Sequence, residues 1–457
     1  MNNNDVGLKL KNYAFLGFVL IFLTISNSCS NDDTAITQED ISETEEENPI
    51  DEEEVEEEVE EEPNDDSIGE VEFFNSDVVE DSYILVNDAG NNDVYLMDKN
   101  AELVHQWPLV NNIGNDAFLM PNGMLLAILE VNTPLITFGG KGGKIQLIEA
   151  DGTINWSFDY SSEEYIAHHD VEMLPNGNIL IMVWERKTAQ EVEEAGSSLT
   201  IDVFPETIIE VNPSTDEIVW EWHAWDHLIQ DFDDTKANFG TVADNPQLIN
   251  LNYSNNDDGD IMHGNGIAYD ADSDLIYLSI NFYHEVWVID HSTTTAEATS
   301  NSGGTYNKGG DLVYRFGNPS AYDNTTGERL FFNNHFPNFI KDGRDGAGNM
   351  LIFVNNMNGN AQSVIYELQF PANLDLQPGL DNEPTVVWSF TDEDLYSPKV
   401  SGAVRLTNGN TLITQGTAGF WEVTPEEKIA WRFNGDGFYW RGYDYAKTAP
   451  EILSLGL

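Results

Sequence analysis

Histidine is the residue type whose spacing in this chain points to chemistry. The 457 residues include nine histidines and one cysteine. An imidazole can act as an acid, a base or a nucleophile near neutral pH, and it can also bind a metal. His169, His263 and His335 are far apart in sequence, yet each opens a strand segment of a similar pattern. Whether they act together therefore depends on the elements that carry them.

Those elements belong to a unit that the chain repeats six times. Each unit consists of apolar strand segments joined by turns, often of the Asn-Gly type, and it ends on an aromatic residue. The six closing aromatic residues are Trp107, Trp156, Trp220, Tyr314, Trp388 and Trp431. Repeats that can each form a four-stranded antiparallel sheet are typical of a β-propeller. We therefore predict an all-β fold, a six-bladed β-propeller over residues 71–457. A β-sandwich would leave the recurring aromatic residue unexplained.

Aligning the units on their turns places the three histidines in phase. His169 lies seven residues before the asparagine of its turn, and Asn115 and Ser401 hold the same place in units two and six. His263 and His335 open the corresponding strand in units four and five. The first strand of each propeller blade lines the central channel. We therefore expect the three histidines to converge on one spot at the entry of the channel.

The other histidines are predicted to be structural. Side chains alternate along a strand, so only one of His168 and His169 can face the channel, and His168 should pack between blades. His223 and His227 are spaced i, i+4 and could bind a metal on a helix, but their aromatic-rich surroundings favour packing. The remaining histidines are predicted to lie on strand or turn surfaces, namely His105, His284 and His291.

A glycine-rich segment, FGGKGG over Phe138–Gly143, suggests a loop that binds phosphate. Such loops lead into the N-terminus of a helix, whose free N–H groups hold the anion. No helical pattern follows this segment. We therefore predict a flexible loop over the mouth of the channel.

The first 28 residues have the pattern of an export signal. Lysines precede an apolar run, Ala14–Ile25, that is too short to span a bilayer, and Cys29 follows it. A cysteine at this place resembles the lipidation site of bacterial lipoproteins, in the looser form of the Bacteroidetes. We predict a lipoprotein signal peptide over residues 1–28 and a disordered acidic tether over residues 29–70. The protein would be exported and lipid-anchored to the outer membrane, at the cell surface or on the periplasmic face. A secreted protein with a chance cysteine is the alternative.

The charge of the chain excludes two kinds of partner. The formal net charge is −62 at pH 7, and acidic residues outnumber basic ones in the predicted propeller as well as in the tether. Such a surface repels nucleic acid and anionic lipid. We therefore expect no nucleic-acid partner and membrane contact only through the N-terminal lipid. An anionic substrate would need a local cluster of positive groups.

Three segments, in the order HHDVEMLPNGNIL, DIMHGNGIAYDADSDLIYLS and NHFPNF, resemble the bacterial arylsulfate sulfotransferase family. The likeness covers most of residues 71–457. It implies an enzyme that moves a sulfuryl group from a phenolic sulfate ester to a phenolic acceptor through a sulfohistidine intermediate. It also implies that neither a nucleotide nor another cofactor takes part. Carried over by position, His335 would be the nucleophile, His169 the proton donor and later the base, and His263 a stabiliser of the sulfuryl oxygens.

The chain departs from the family at one place. Family members have an arginine on the strand after the His-x-Asn motif, where this chain has Asn281. Losing such a stabiliser commonly costs about 100-fold or more in rate. The resemblance makes Asn265, Asn281 and Asn334 candidate substrate-binding residues. The arginines that could supply the missing charge are Arg186, Arg405 and Arg441, of which we favour Arg441.

Two other interpretations stay open. The protein could be a non-catalytic propeller that binds a phenolic or glycan ligand, with the lost arginine marking lost turnover. Alternatively, the three histidines could hold a metal through three nitrogens. The N-terminal β-domain and the disulfide of enteric family members have no counterpart in this sequence, so we expect a monomer or a homodimer.

Overall fold

Strands dominate residues 67–254 and 256–457, the part of the chain that the computed structural model describes. The predicted signal peptide, Cys29 and the tether up to residue 66 lie outside the described residues. Among the described residues, no helix is long and apolar enough to cross a membrane.

The first half of the chain forms a single strand and three sheets. Strand β1 spans Glu70–Phe74. The next three strands are β2 (Ser82–Asp88), β3 (Asp93–Met97) and β4 (Leu103–Trp107). The second sheet consists of β5 (Ile113–Leu119), β6 (Leu125–Glu130), β7 (Gly143–Ile148) and β8 (Ile154–Asp159). The third consists of β9 (Tyr165–Met173), β10 (Ile179–Glu185), β11 (Glu206–Asn212) and β12 (Glu217–His223).

The second half begins with a short parallel pair, β13 (Leu228–Ile229) and β14 (Ile249–Asn250). The fourth sheet consists of β15 (Gly264–Asp270), β16 (Leu275–Ile280), β17 (Glu285–Asp290) and β18 (Tyr314–Phe316). The fifth consists of β19 (Asn334–Phe339), β20 (Met350–Val354), β21 (Val364–Gln369) and β22 (Thr385–Phe390). The sixth contains β23 (Gly402–Arg405), β24 (Thr411–Gln415), β25 (Gly419–Val423) and β26 (Ile429–Asn434), and β27 (Tyr439–Ala446) follows it.

Helices are few and short. The α-helices are α1 (Ala189–Glu194), α2 (Thr295–Ala298) and α3 (Pro450–Leu455). The 3₁₀ helices span Ala224–His227, Val242–Asp244, Pro319–Tyr322 and Met357–Gly359. The described residues therefore have the predicted all-β character.

The six sheets are the blades of a propeller, as predicted. The innermost strands contact one another in a closed ring, in the order β27, β5, β9, β15, β19, β23 and back to β27. The first and the last strand both join the first and sixth blades and so close the propeller. Strand β27 is the innermost strand of the first blade, beside β2, and β1 is a fifth, outermost strand on the sixth blade. The sequence repeats indicated the number of blades but not this closure.

The closing aromatic residues join neighbouring blades. Each lies on the outermost strand that its own unit contributes, and five of the six donate a hydrogen bond to the last turn of the next blade. The indole Nε1–acceptor pairs are Trp156–Asp216 (2.8 Å), Trp220–Thr293 (3.1 Å), Trp388–Pro425 (3.1 Å) and Trp431–Lys99 (2.8 Å), and the hydroxyl of Tyr314 donates to Asn382. Buried polar groups need such partners. The recurrence of this residue therefore reflects blade-to-blade contact.

Candidate active site

The backbone of the inner strands turns the histidines into the channel. His169 and His263 both have φ of +53°, and Phe336, next to His335, has φ of +52°. The pairing of β9, β15 and β19 with their neighbours shifts register at these places. Bulges with positive φ re-aim side chains and are uncommon for residues other than glycine. Strand alternation, from which the sequence predicted the channel-facing histidine, is therefore not what orients these rings.

One cavity of about 110 Å³ brings the three histidines together. We call it the histidine cavity, and it is lined by Asn115, Gly139, Gly140, His169, His263, Asn265, His335, Lys399, Val400, Ser401, Phe438, Trp440 and Arg441. The centroids of the His169 and His263 rings are 4.9 Å apart. Asn115 and Ser401, the equivalent residues of units two and six, line the same cavity.

Burial favours the neutral form of His335, and the contact with Asn355 determines its tautomer. Its Nδ1 atom lies 2.6 Å from Oδ1 of Asn355, and the amide nitrogen of Asn355 donates to the carbonyl oxygens of Ser397 (2.8 Å) and Val400 (3.1 Å). Oδ1 therefore accepts, Nδ1 carries the proton, and Nε2 keeps a lone pair. Burial and the nearby charges of His263 and Arg441 lower the pKa of His335 to about 3, although the Asn355 bond opposes this.

His263 has the opposite character. Its Nδ1 atom lies 2.5 Å from Oδ2 of Asp260, and Oδ1 of the same carboxylate accepts its backbone N–H at 3.0 Å. Burial lowers the pKa of His263, but the hydrogen bond to Asp260 and its charge outweigh burial and raise the pKa above its usual value. The cavity thus holds a neutral imidazole and a second one that favours the charged form.

His169 lies between these two rings and against the glycine loop. Burial first, and then the neighbouring His263 and His168, hold the pKa of His169 well below its usual range. Its backbone N–H donates to the carbonyl oxygen of Gly140 at 2.9 Å. A Cβ atom on Gly140 would lie 2.1 Å from the ring of His169, so only glycine fits there. The side chain of His169 is therefore held in one place.

The loop of Phe138–Gly143 lies at the cavity, as the sequence suggested, but backbone hydrogen bonds join it to β9. A bridge pairs Lys141 with His168, and the N–H of Gly142 donates to the carbonyl oxygen of Ala167 at 3.1 Å. The prediction of a flexible loop does not anticipate these backbone contacts. The loop forms part of the wall of the cavity.

A comparison with known protein families shows to which family the chain belongs. The sequence profile of the family described as Arylsulfotransferase (ASST) matches residues 70–434. This span runs from the start of β1 to the end of β26 and contains His169, His263 and His335. The chain belongs to the arylsulfotransferase family. Membership supports an aryl sulfotransferase-like function and agrees with the resemblance seen in the sequence.

The comparisons with individual proteins add little. No curated protein sequence matches the chain. Similar solved structures include Kuenenia stuttgartiensis hydrazine synthase, at 15% identity over 64% of this chain and 68% of that one, with a TM-score of 0.35. A dihydro-heme d1 dehydrogenase in complex with DHE matches at 8% identity over 84% and 78%, with a TM-score of 0.35. A putative 6-phosphogluconolactonase from Bacteroides fragilis matches at 11% identity over 81% and 99%, with a TM-score of 0.40. At these TM-scores the likenesses carry no argument.

Among the described residues, the histidine cavity has no free guanidinium in place of the arginine that the resemblance implies at the position of Asn281. Arg441, on β27, lines the histidine cavity, but its Nη1 atom lies 2.9 Å from Asp170 and 3.1 Å from Asp116. Burial opposes the charge of Arg441, yet the carboxylates of Asp170 and Asp116 outweigh it and raise its pKa. Its Nη2 atom donates to the carbonyl oxygen of Asn265 at 2.9 Å. The charge of Arg441 is therefore already balanced.

The other two arginine candidates lie elsewhere. Arg186 pairs with Asp202 at 2.7 Å and with Glu164 at 3.6 Å near the surface. Arg405 pairs with Glu367 at 2.6 Å. Neither lines the histidine cavity.

A larger cavity of about 500 Å³ shares Arg441 with the histidine cavity. Its lining includes Asp116, Asp170 and Glu172, which the histidine cavity does not reach. Burial raises the pKa of Asp170 to about 7, although Arg441 opposes this, and burial with the nearby Asp170 raises the pKa of Glu172 to about 8. Arg441 and its two carboxylate partners therefore separate the two cavities.

The three asparagine candidates have different places. Asn265 lines the histidine cavity, whereas Asn281 and Asn334 do not. The side-chain amides of Asn265 and Asn281 donate to the carbonyl oxygen of Asn334 at 2.8 and 3.3 Å. The amide of Asn334 itself donates to Ser279 and to the carbonyl oxygen of Glu285. Substrate binding by Asn281 and Asn334 stays a prediction, and their observed contacts hold the strand of His335.

Lys399 is a cavity residue that the sequence reasoning missed. It is exposed at the rim of the histidine cavity, and its Nζ atom lies 5.0 Å from the ring centroid of Phe438. Among the described residues it has no ion pair. It stands two residues before Ser401, the entry position of unit six, which is the signal that could have found it. Lys399 places an uncommitted positive charge beside the three histidines.

Of the remaining histidines, His223 and His227 pack as predicted, whereas the three predicted surface histidines are more buried than expected. His227 lies 2.9 Å from Asp311, and His223 lies 2.9 Å from Glu185. His291 was predicted to be a surface residue, but it joins two blades through Glu210 (3.1 Å) and Asp274 (2.7 Å). His105 and His284 are both half-buried, and His284 Nδ1 accepts the N–H of Asn333 at 3.0 Å. Within the described residues, no group of three or more His, Cys, Asp or Glu side chains could hold a metal ion.

Proposed function

We propose that the protein transfers a sulfuryl group from a phenolic sulfate ester to a phenolic acceptor, with His335 as the transiently sulfated residue. The single observation that carries this proposal is that His335, whose Nδ1 atom is engaged by Asn355, shares a cavity with His263, whose Nδ1 atom is engaged by the carboxylate of Asp260. A nucleophile and a positive group in one cavity suit attack on an anionic sulfate ester.

In the first step, the lone pair of His335 Nε2 attacks the sulfur of the donor. An N–S bond forms, the S–O bond to the aromatic ring breaks, and its electron pair stays on the phenolic oxygen. His169 gives that oxygen a proton. A phenol has a pKa of about 10, so protonation of the leaving oxygen lowers the barrier. In the second step, His169 takes the proton of the acceptor phenol, whose oxygen attacks the sulfur and releases His335.

Two positive groups take the place of the family arginine in this proposal. The His263 imidazolium, paired with Asp260, faces the sulfuryl oxygens. Lys399 at the rim of the cavity attracts the sulfate group. The amide of Asn265 is directed to the backbone of Asn334, so this residue shapes the cavity wall. No nucleotide takes part in either step.

The assay is the transfer of the sulfuryl group from 4-nitrophenyl sulfate to phenol. We expect turnover by the wild type, no turnover by His335→Asn, and the mass of one SO₃ group on wild-type protein quenched during turnover. The matched control is His105→Asn, because His105 lies on β4, away from the histidine cavity. Clean binding of the phenolic sulfate without transfer at any pH would favour the non-catalytic interpretation instead.

We also propose that the protein is exported and anchored through a lipid on Cys29. The apolar run before Cys29 and the acidic stretch after it support this proposal. The test is fractionation of cells that express the full chain. Cys29→Ala should release the protein from the membrane fraction, and an unchanged distribution would contradict the anchor.

A further inference from the structure

A second histidine lies directly behind His169. His168 is fully buried and stacks on Trp184, with ring centroids 3.8 Å apart and planes 8° apart. Its Nδ1 atom lies 2.9 Å from Nδ1 of His169. Its Nε2 atom lies 2.9 Å from Oε2 of Glu206. The three side chains therefore form a row that ends in the histidine cavity.

The carboxylate of Glu206 is fixed at the far end of this row. It is fully buried, and its Oε1 atom accepts the indole N–H of Trp184 (3.1 Å) and the backbone N–H of Gly264 (2.6 Å). Among the described residues, Oε2 of Glu206 and Nε2 of His168 have no hydrogen-bond partner, so each has only the ion-pair contact with the other. A buried carboxylate needs a proton-bearing partner. Nε2 of His168 therefore carries a proton.

The contact between the two Nδ1 atoms then allows two proton arrangements. A single proton lies between two nitrogens at this distance, because one must donate and the other accept. If His168 carries both ring protons, its Nδ1 donates and His169 has its proton on Nε2, facing the cavity. If His168 is neutral, Nδ1 of His169 donates and Nε2 of His169 holds a lone pair. The first arrangement makes His169 an acid and the second makes it a base.

We propose that His168, held by Glu206, is a positioning residue that passes a proton to His169 during sulfuryl transfer. This inference rests on the proposed function. When the S–O bond of the donor breaks, the Nε2 proton of His169 goes to the phenolic oxygen, and the Nδ1 proton of His168 moves to Nδ1 of His169. His168 keeps its Nε2 proton beside Glu206. The acceptor phenol reverses both transfers in the second step.

This relay removes a difficulty in the mechanism. A proton donor at His169 would otherwise be an imidazolium beside the charged His263, and Arg441 lies in the same cavity. Burial and these neighbours lower the pKa of His169 strongly, so the charged form is disfavoured. In the relay, His169 stays neutral throughout, and the positive charge resides on His168 next to Glu206. The carboxylate of Asp260 contacts His263 and stabilises the positive charge there.

The first experiment uses donors whose phenols leave with different ease. His168→Asn keeps a polar atom near the Nδ1 position but cannot pass a proton, and Glu206→Gln still accepts from Trp184 and Gly264. General acid catalysis is worth about 100- to 10,000-fold. The quantity measured is kcat/KM for the donor, which depends only on the first step. We expect it to fall little in both variants with 4-nitrophenyl sulfate and about 100-fold more with phenyl sulfate, whose leaving group needs the proton. Equal losses for both donors would overturn the relay, because a structural defect affects both alike.

The second experiment does not need turnover. Imidazole ¹⁵N NMR of the histidine-labelled full chain reports which ring nitrogen of His169 carries the proton. In the wild type, we expect the proton of His169 to exchange between Nε2 and Nδ1 together with the transfer of the proton that it shares with His168, and in His168→Asn this exchange should vanish. The same tautomer of His169 at every pH in both proteins would overturn the relay. A wild type that is inactive in the assay would overturn the proposed function, and NMR would still decide the proton exchange.

Discussion

Asn355 determines which nitrogen of His335 is free to react. Its Oδ1 atom lies 2.6 Å from Nδ1 of His335, and two carbonyl oxygens hold its amide in that orientation. The two residues face each other across β19 and β20, 20 positions apart in sequence. A neutral acceptor at this place fixes the tautomer of His335 without adding the charge that would make the ring an imidazolium.

The variant Asn355→Asp tests this role. A carboxylate would stabilise the imidazolium and raise the pKa of His335 from its present value of about 3. Only the neutral ring is a nucleophile, so we expect the acid limb of the kcat profile to move to higher pH. At pH values below that limb, kcat should fall about tenfold for each unit by which the pKa of His335 rises. Asn356→Asp is the control for charge alone, and an unmoved acid limb in Asn355→Asp would contradict the assignment.

The charge of His263 is tested through Asp260→Asn. Asp260 raises the pKa of His263, so the charged form should be lost only as the pH rises through that raised value. In the variant this loss should occur at lower pH, because the stabilising carboxylate is gone. We expect the alkaline limb of kcat to move to lower pH, and the rate at a pH between the two limbs to fall about 100-fold. The exposed neighbour Asp257 supplies the control Asp257→Asn, whose profile should match the wild type.

Lys399 should act on donor binding more than on the chemical step. It is exposed at the rim of the cavity, where solvent and salt screen its charge. We expect Lys399→Met to raise KM for the phenolic sulfate a few-fold with little change in kcat, and Lys399→Arg to retain most of the binding. The difference in KM between the wild type and Lys399→Met should shrink at high salt. Lys428→Met, in an exposed turn outside the cavity, serves as the control, and a kcat effect alone would argue against this role.

The positions of the three histidines could be predicted because the propeller repeats its geometry. A turn asparagine fixes the phase of each blade, and that phase assigns His169, His263 and His335 to one place on the axis. The phase says nothing about backbone conformation. The positive φ that aims His169 and His263 depends on bulges between paired strands, which a single sequence does not reveal.

The charge state of each ring could not be predicted, because it depends on partners that packing brings close. Asp260 is near His263 in sequence, but Asn355, the neutral partner of His335, directly follows another strand, β20. The balance of charge on Arg441 comes from Asp116 and Asp170 on two other blades. The sequence therefore predicted correctly that Arg441 lies at the cavity, but it did not predict the ion pairs of Arg441.

Arg441 should matter more for stability than for sulfate binding. Arg441→Met would leave Asp116 and Asp170 buried without a cation, and breaking a buried pair in this way costs about 3–5 kcal/mol. Protonation relieves an unpaired buried carboxylate, so the loss should be smallest at acid pH and grow as the pH rises. Denaturant unfolding at several pH values measures it. Arg186→Met, which breaks a surface pair, should have a small effect, and equal effects of the two variants would contradict this account.

Gly140 offers the sharpest test of how tightly the ring of His169 must be held. Gly140→Ala places a Cβ atom 2.1 Å from that ring, so the ring has to move. Gly177 lies in the turn after β9, the strand of His169, and has the same φ of +85° as Gly140. No atom lies within 4 Å of the place that its Cβ atom would take. Both variants therefore carry the same backbone strain of about 1 kcal/mol, and only one displaces the histidine. A misplacement of about 1 Å can cost about 100-fold in rate, so Gly140→Ala should lose that much in kcat/KM while Gly177→Ala keeps wild-type activity. Similar activities of the two variants would show that catalysis does not depend on the position of His169.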